Sequence, residues 1–136
     1  MTSPTRSREA MERVLRDAEL LFDTRVIEAA LEQMANRIRR DLRGRDVLVL
    51  CVMHGGLMTT AGLLLRLGFP VAQDYIHVSR YRGNTSGGTL DWKRGPPGDL
   101  SGFSVLVVDD ILDEGHTLAA IVARCASQGA DLVKTA

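Results

Sequence analysis

Two runs in this chain, VLVLCVM at 47–53 and SVLVV at 104–108, are continuously apolar, rich in β-branched residues and of strand length. A strand exposed on one face alternates apolar with polar residues. An unbroken apolar run therefore marks a strand covered on both faces, as in a parallel sheet flanked by helices. Helical periodicity fills the spaces around these strands. Asp23 or Thr24 offers an N-cap for a helix carrying Ile27, Leu31, Met34, Ile38 and Leu42 in one stripe, and Gly44 stops it. Residues 57–67 are apolar at helical spacing, LGFP closes them, and VAQDYIHVS (71–79) reads as another strand. The second apolar run continues as SVLVVDD (104–110), and a helix over 117–128 follows, stopped by Gly129. The terminal LVKTA begins one more strand. Alternating strands and helices predict an α/β fold, a doubly wound parallel sheet. A sheet whose next strand starts in the last five residues predicts that the chain is part of a longer sequence.

The flanks of this core read differently. Residues 1–6 fray, and Met11, Val14, Leu15 and Ala18 recur at helical intervals after them, so residues 1–22 form a helical N-terminal extension to a core spanning 23–136. The stretch RYRGNTSGGTLDWKRGPPG (80–98) is rich in glycine, holds two adjacent prolines and has little to bury. It is expected to be a long Gly-rich excursion or a flexible ribbon, and long loops in compact domains are more often lids or binding loops than idle connectors. Trp92 in it packs against either the lid or a subunit contact.

Composition narrows the partners. Lysine plus arginine and aspartate plus glutamate both number 17, so no overall field favours nucleic acid. The basic group Arg37, Arg39, Arg40, Arg43 and Arg45 reads as a solvated helix end, where cations favour the macrodipole. No apolar run approaches the roughly 18 residues of a membrane span, and the charged N-terminus does not resemble a secretory signal, so the expected location is the cytoplasm. Cys51 and Cys125 lie in apolar runs and are expected to be reduced, buried thiols.

Chemistry concentrates in VLVVDDILDEGHTL (105–118). Ligands of open α/β sheets bind at the C-terminal ends of the strands. That end here presents Asp109 and Asp110, suited to sugar hydroxyls or to a hydrated Mg²⁺. The next helix begins within Glu114, Gly115, His116 and Thr117, where free N–H groups and the threonine hydroxyl form a phosphate cradle. Acids that bind a diol, set beside a phosphate cradle, describe a ribose 5-phosphate pocket. Walker A spacing and a GxGxxG fingerprint are both absent.

This order of strand, two acids, two apolar residues, acid, glycine and threonine resembles the PRPP-binding signature of type I phosphoribosyltransferases, matched at Asp109, Asp110, Asp113, Gly115 and Thr117. From about residue 22 onward the chain is similar to hypoxanthine-guanine phosphoribosyltransferases, notably in VLCVMHGG and SRYRGNTSGG. The resemblance implies transfer of the phosphoribosyl group of PRPP to a 6-oxopurine such as hypoxanthine or guanine. It also implies an Mg²⁺ requirement at Asp109 and Asp110, and assembly as homodimers or homotetramers. It implies that Met53, His54, Gly55 and Gly56 bind pyrophosphate through backbone amides, often with an unusual cis peptide, and that Asp113 is the general base. Residues 79–89 match a mobile lid, in which Arg80, Tyr81 and Arg82 stand and the two arginines would meet pyrophosphate.

The chain departs from the family pattern at Arg80 and Glu114, where relatives often carry hydroxyl residues. The carboxylate of Glu114 is expected to turn away from phosphate, and His116 receives no side-chain role. The resemblance puts the base-recognising lysine, the stacking aromatic residue and a further acid beyond residue 136, and Lys134 is not equated with that lysine. His54 is used only for its backbone, and His77 is read as structural. Other readings stand beside this one. Receiver domains also carry VLVVDD, but near their start, whereas the pair falls here at 109 and 110 of 136 residues. A non-catalytic regulator on the same fold, or a transferase for another base, shares the ribose-phosphate motif; the HGG loop and SRYRG segment favour the 6-oxopurine group.

Overall fold

The computed structural model describes residues 8–80 and 90–136. In chain order the elements are α1 (Arg8–Asp17), α2 (Thr24–Leu42), β1 (Val47–Met53), α3 (Leu57–Leu67), β2 (Ala72–Arg80), β3 (Leu90–Arg94), β4 (Ser104–Val108), α4 (His116–Ser127) and β5 (Leu132–Thr135). The strands form one sheet in the order β3-β2-β1-β4-β5. β1 pairs in parallel with β2 and β4, and β4 with β5. Of the two N-cap candidates it is Asp23 that caps α2, its Oδ1 accepting from the Val26 N–H at 2.9 Å, while Thr24 is the first helical residue.

Both faces of the sheet are covered, and the period-two geometry of the strands sorts their residues between them. Leu48, Leu50, Val52, Val105 and Val107 pack with Ile121 and Cys125 of α4. Val47, Val49, Leu106 and Val108 pack with Ala35, Ile38 and Leu42 of α2 and Leu63 and Leu67 of α3. This is why β1 and β4 are apolar without interruption. The path from β1 through α3 leads to β2 on one side, while that from β4 through α4 leads to β5 on the other. The chain therefore reverses its direction of winding between β1 and β4, the location at which doubly wound sheets open a crevice.

Three expectations are revised. Part of the 80–98 excursion is a strand: β3 runs antiparallel to β2, with Arg80 opposite Leu90 and Val78 opposite Trp92. Leu90 and Trp92 lean on the core while Asp91 and Lys93 are exposed, a short alternation that the surrounding glycines and prolines conceal. Trp92 is occupied by α4, the guanidinium of Arg124 lying 4.4 Å from its ring centroid. Nor is the basic end of α2 wholly solvated. Arg39 donates to the Arg66 carbonyl and pairs with Glu32 at 2.8 Å, and Arg66 pairs with Glu28, so these charges clamp α2 to α3.

α1 contributes no buried residue, and Val14 and Leu15 on its apolar stripe are exposed. Cys51 and Cys125 are free and buried, and burial pushes the Cys125 thiol above its ordinary pKa. Among the described residues no helix is long and apolar enough to cross a membrane.

Candidate functional site

The C-terminal ends of β1 and β4 stand side by side, and the loops leaving them meet so closely that side chains are excluded. A Cβ on Gly56 would lie 2.6 Å from the Val108 carbonyl oxygen and 2.9 Å from that of Val52. One on Gly55 would lie 2.4 Å from Oδ2 of Asp110. Two glycines are thus required where the loop after β1 passes the acidic loop after β4. The Met53–His54 peptide bond in this loop is cis. The His54 ring packs edge-on against His77 with centroids 4.9 Å apart.

A cleft of about 290 Å³ opens above this junction. It gathers Met53, Gly55, Arg80, Asp109, Asp110, Asp113, Gly115 and Thr117 from the predicted set. His54, Gly56, Glu114 and His116 do not line it. Tyr81 and Arg82 lie outside the described residues. Apolar walls that the motif did not announce come from Val52, Val78, Ile111, Leu112 and Leu118. Their signal is weak because Val52, Val78 and Leu118 also read as ordinary core positions. Ile111 and Leu112 are the exception, two large apolar side chains each 73% exposed in the acidic loop. They also border a second cleft of about 280 Å³ between Asp109 and the end of β5.

The two adjacent acids are not equivalent. The Asp109 N–H donates to the Ala136 carbonyl at 3.1 Å, and its Oδ1 accepts from the Asp110 N–H at 2.9 Å, which fixes the turn out of β4. Burial raises the Asp109 carboxyl pKa above its ordinary value, partly offset by the bond from the Asp110 N–H. Asp110 and Asp113 are exposed at the cleft. Among the described residues no three acids, histidines or cysteines converge as a metal cage. Two neighbouring carboxylates still suit Mg²⁺, which keeps several waters and is commonly held by one or two carboxylates plus substrate phosphates.

The other end of the cleft is the start of α4. The chain turns through Gly115 (φ 79°) into His116, no side chain caps the helix, and its first turn holds no acidic residue. Ala119 donates to the Gly115 carbonyl, so the three preceding N–H groups point outward without helical acceptors. Arg80 comes from the end of β2 to this point. Its Nε donates to Thr117 Oγ1 at 3.2 Å, and its Nη1 is 3.5 Å from Glu114 Oε2. The arginine expected near pyrophosphate therefore stands at the helix start. Glu114 turns from the cleft toward Arg80 and toward His116, whose Nε2 is 3.7 Å from the same oxygen. These groups can bind a sugar diol at one end and an anion at the other.

The phosphoribosyl transferase domain family matches residues 17–136. The hypoxanthine-guanine-xanthine phosphoribosyltransferase of Tritrichomonas foetus is 29% identical over 99 residues, covering 73% of this chain and 54% of that protein. The human hypoxanthine-guanine phosphoribosyltransferase is 27% identical over 143 aligned positions, covering 98% of this chain and 63% of that protein. The chain thus spans less than two thirds of the length of these relatives. A hypoxanthine phosphoribosyltransferase structure from Staphylococcus aureus is similar in fold, with a TM-score of 0.81 at 21% identity, covering 94% of this chain and 69% of that one. One from Trypanosoma cruzi, in complex with the product IMP, gives 0.71 at 28% identity, covering 80% and 63%. This chain belongs to the phosphoribosyl transferase domain family.

Proposed function

We propose that this chain carries the phosphoribosyl-binding and catalytic half of a purine-salvage phosphoribosyltransferase, which transfers the 5-phosphoribosyl group of PRPP to hypoxanthine or guanine. The observation that carries the reading is a cleft at the β1–β4 reversal that two adjacent acids, a third acid and an uncapped helix start line together. Its dimensions and chemistry suit ribose 5-phosphate: Asp109 and Asp110 take the two ribose hydroxyls, and the N–H groups and hydroxyl at the start of α4 take the 5-phosphate. The amides of residues 53–56 face the pyrophosphate, where the absence of side chains at Gly55 and Gly56 permits backbone approach. Asp113 accepts the proton from N7 of the purine as N9 bonds to the sugar, a contribution of about 10²- to 10⁴-fold in such reactions. Ile111 and Leu112 offer an apolar wall to the base. Bound at Asp109 and Asp110, Mg²⁺ would supply charge stabilisation for departing pyrophosphate. The relatives named above as hypoxanthine-guanine and hypoxanthine-guanine-xanthine enzymes support this choice of bases.

The test is nucleotide formation from PRPP with hypoxanthine, guanine, xanthine and adenine in parallel, with and without Mg²⁺. Turnover confined to the oxopurines and dependent on the metal is the expected result. Binding of PRPP without turnover of any base would replace this reading with a regulatory one. Absence of PRPP binding would overturn both.

A further inference from the structure

Arg80 is in an unfavourable place unless an anion joins it. The start of α4 is the positive end of the helix dipole and presents three outward N–H groups. A cation is normally disfavoured there. The guanidinium nevertheless reaches Thr117 Oγ1 through Nε at 3.2 Å, and the first turn of α4 supplies no acidic residue to offset it. Its one carboxylate partner among the described residues is Glu114, at 3.5 Å. Both side chains are substantially exposed, at 44% and 63%, so this pair is screened and weak. Arg80 also lines the cleft whereas Glu114 does not.

The geometry points to Arg80 as a further ligand-binding residue, the side-chain cation of the anion cradle at α4, which Glu114 holds in place and yields when a phosphate group arrives. This inference rests on the phosphoribosyl reading of the cleft and adds a role that the shared motif does not contain. A guanidinium tethered at Nε can turn its Nη groups to the paired hydrogen bonds that suit a phosphate once Nη1 leaves Glu114, and a dianion outcompetes an exposed carboxylate held at 3.5 Å. Glu114 acts through Arg80: it neutralises the guanidinium in the empty cleft and keeps it beside Thr117. Arg80 in turn shields the incoming phosphate from the Glu114 carboxylate. Arg80 and Glu114 are therefore one charge-compensated unit.

The coupling makes the test specific. Ribose 5-phosphate is titrated calorimetrically into the chain at fixed ionic strength, with ribose as the uncharged control, for the unmodified protein, Arg80→Gln, Arg80→Lys, Glu114→Gln and the Arg80→Gln/Glu114→Gln double variant. Arg80→Gln is expected to weaken binding about ten- to a hundredfold, the range for losing a charged hydrogen-bond partner. Arg80→Lys should fall between, because it retains the charge without the fork. Glu114→Gln alone should leave binding within about threefold or tighten it, and in the Arg80→Gln background it should restore much of the loss by removing the unshielded carboxylate. All these side chains are exposed, so thermal midpoints should be unchanged. Ribose 5-phosphate binding equally well to Arg80→Gln and the unmodified chain would overturn the inference and leave the phosphoribosyl reading intact. A double variant no better than Arg80→Gln would overturn the counter-ion role of Glu114. No binding to the unmodified chain would overturn the phosphoribosyl reading and this inference together.

Discussion

Gly55→Ala and Gly56→Ala differ by one position and should fail in different ways. At Gly56 the new methyl group meets backbone on both sides, 2.6 Å from the Val108 oxygen and 2.9 Å from the Val52 oxygen, well inside an ordinary contact of 3.4 Å. Neither oxygen can move alone: Val52 accepts from the Gly56 N–H at 2.9 Å, and Val108 ends β4, an interior strand paired on both sides. Overpacking of a tight site costs about 1–3 kcal/mol, and rigid backbone on two sides places this case near the top of that range. Against it stands the gain from restricting the unfolded chain, about 0.4–1 kcal/mol for Gly→Ala where the native backbone is permitted, as it is at φ −67°. The net expectation is a loss of roughly 2 kcal/mol. With a urea slope of about 1–3 kcal/mol per molar for small proteins, the midpoint should fall by about 1 M at constant slope. At Gly55 the methyl group instead meets the exposed carboxylate of Asp110, which can swing aside. Gly55→Ala should therefore unfold within about 0.5 kcal/mol of the unmodified chain and lose affinity for ribose 5-phosphate. A Gly56→Ala midpoint equal to or above the original would refute the reasoning, because unfolded-state entropy would then outweigh the clash.

Three further predictions are independent of that one. Asp113→Asn should retain ribose 5-phosphate binding and lower turnover by about 10²- to 10⁴-fold; unchanged turnover would remove Asp113 from the role of base. Leu50→Ala, at a residue with no exposed surface, should cost about 2–5 kcal/mol in urea unfolding, whereas Leu65→Ala, 86% exposed on α3, should cost less than about 0.5 kcal/mol. Equal costs would contradict the two-faced core. The Asp99 carboxylate has its pKa lowered by accepting the Ser101 N–H, at 2.9 Å. A carboxyl depressed on folding stabilises the folded chain above its unfolded pKa and loses that contribution as pH falls through the folded value. Asp99→Ala should thus be destabilised at neutral pH, and the gap should close below about pH 4. A gap that widens in acid would reverse the assignment.

Much of the fold was legible locally. VLVLCVM and SVLVV report burial on both faces because each strand residue must find apolar cover, and the helix stripe from Ile27 to Leu42 reports its one buried face. β3 was hidden because four alternating residues between glycines and prolines carry too little periodic signal. Its pairing with β2 is a non-local choice made by the sheet edge. Among candidate site residues, the acids and the start of α4 were visible because their spacing is set by one strand and one turn. Arg39 and Arg66 were not visible as a clamp, since they lie on different helices and meet only after packing.

The sequence by itself therefore determined the layered α/β architecture and the acidic loop followed by a helix start, features whose physics is contained within short consecutive segments. The tertiary structure decided which loops share a cleft. It brought Gly55 of the β1 loop against Asp110 of the β4 loop, and carried Arg80 across 34 residues of sequence to Glu114. Such contacts follow from strand order and register, which are settled by the packing energy of the whole sheet and not by any single segment.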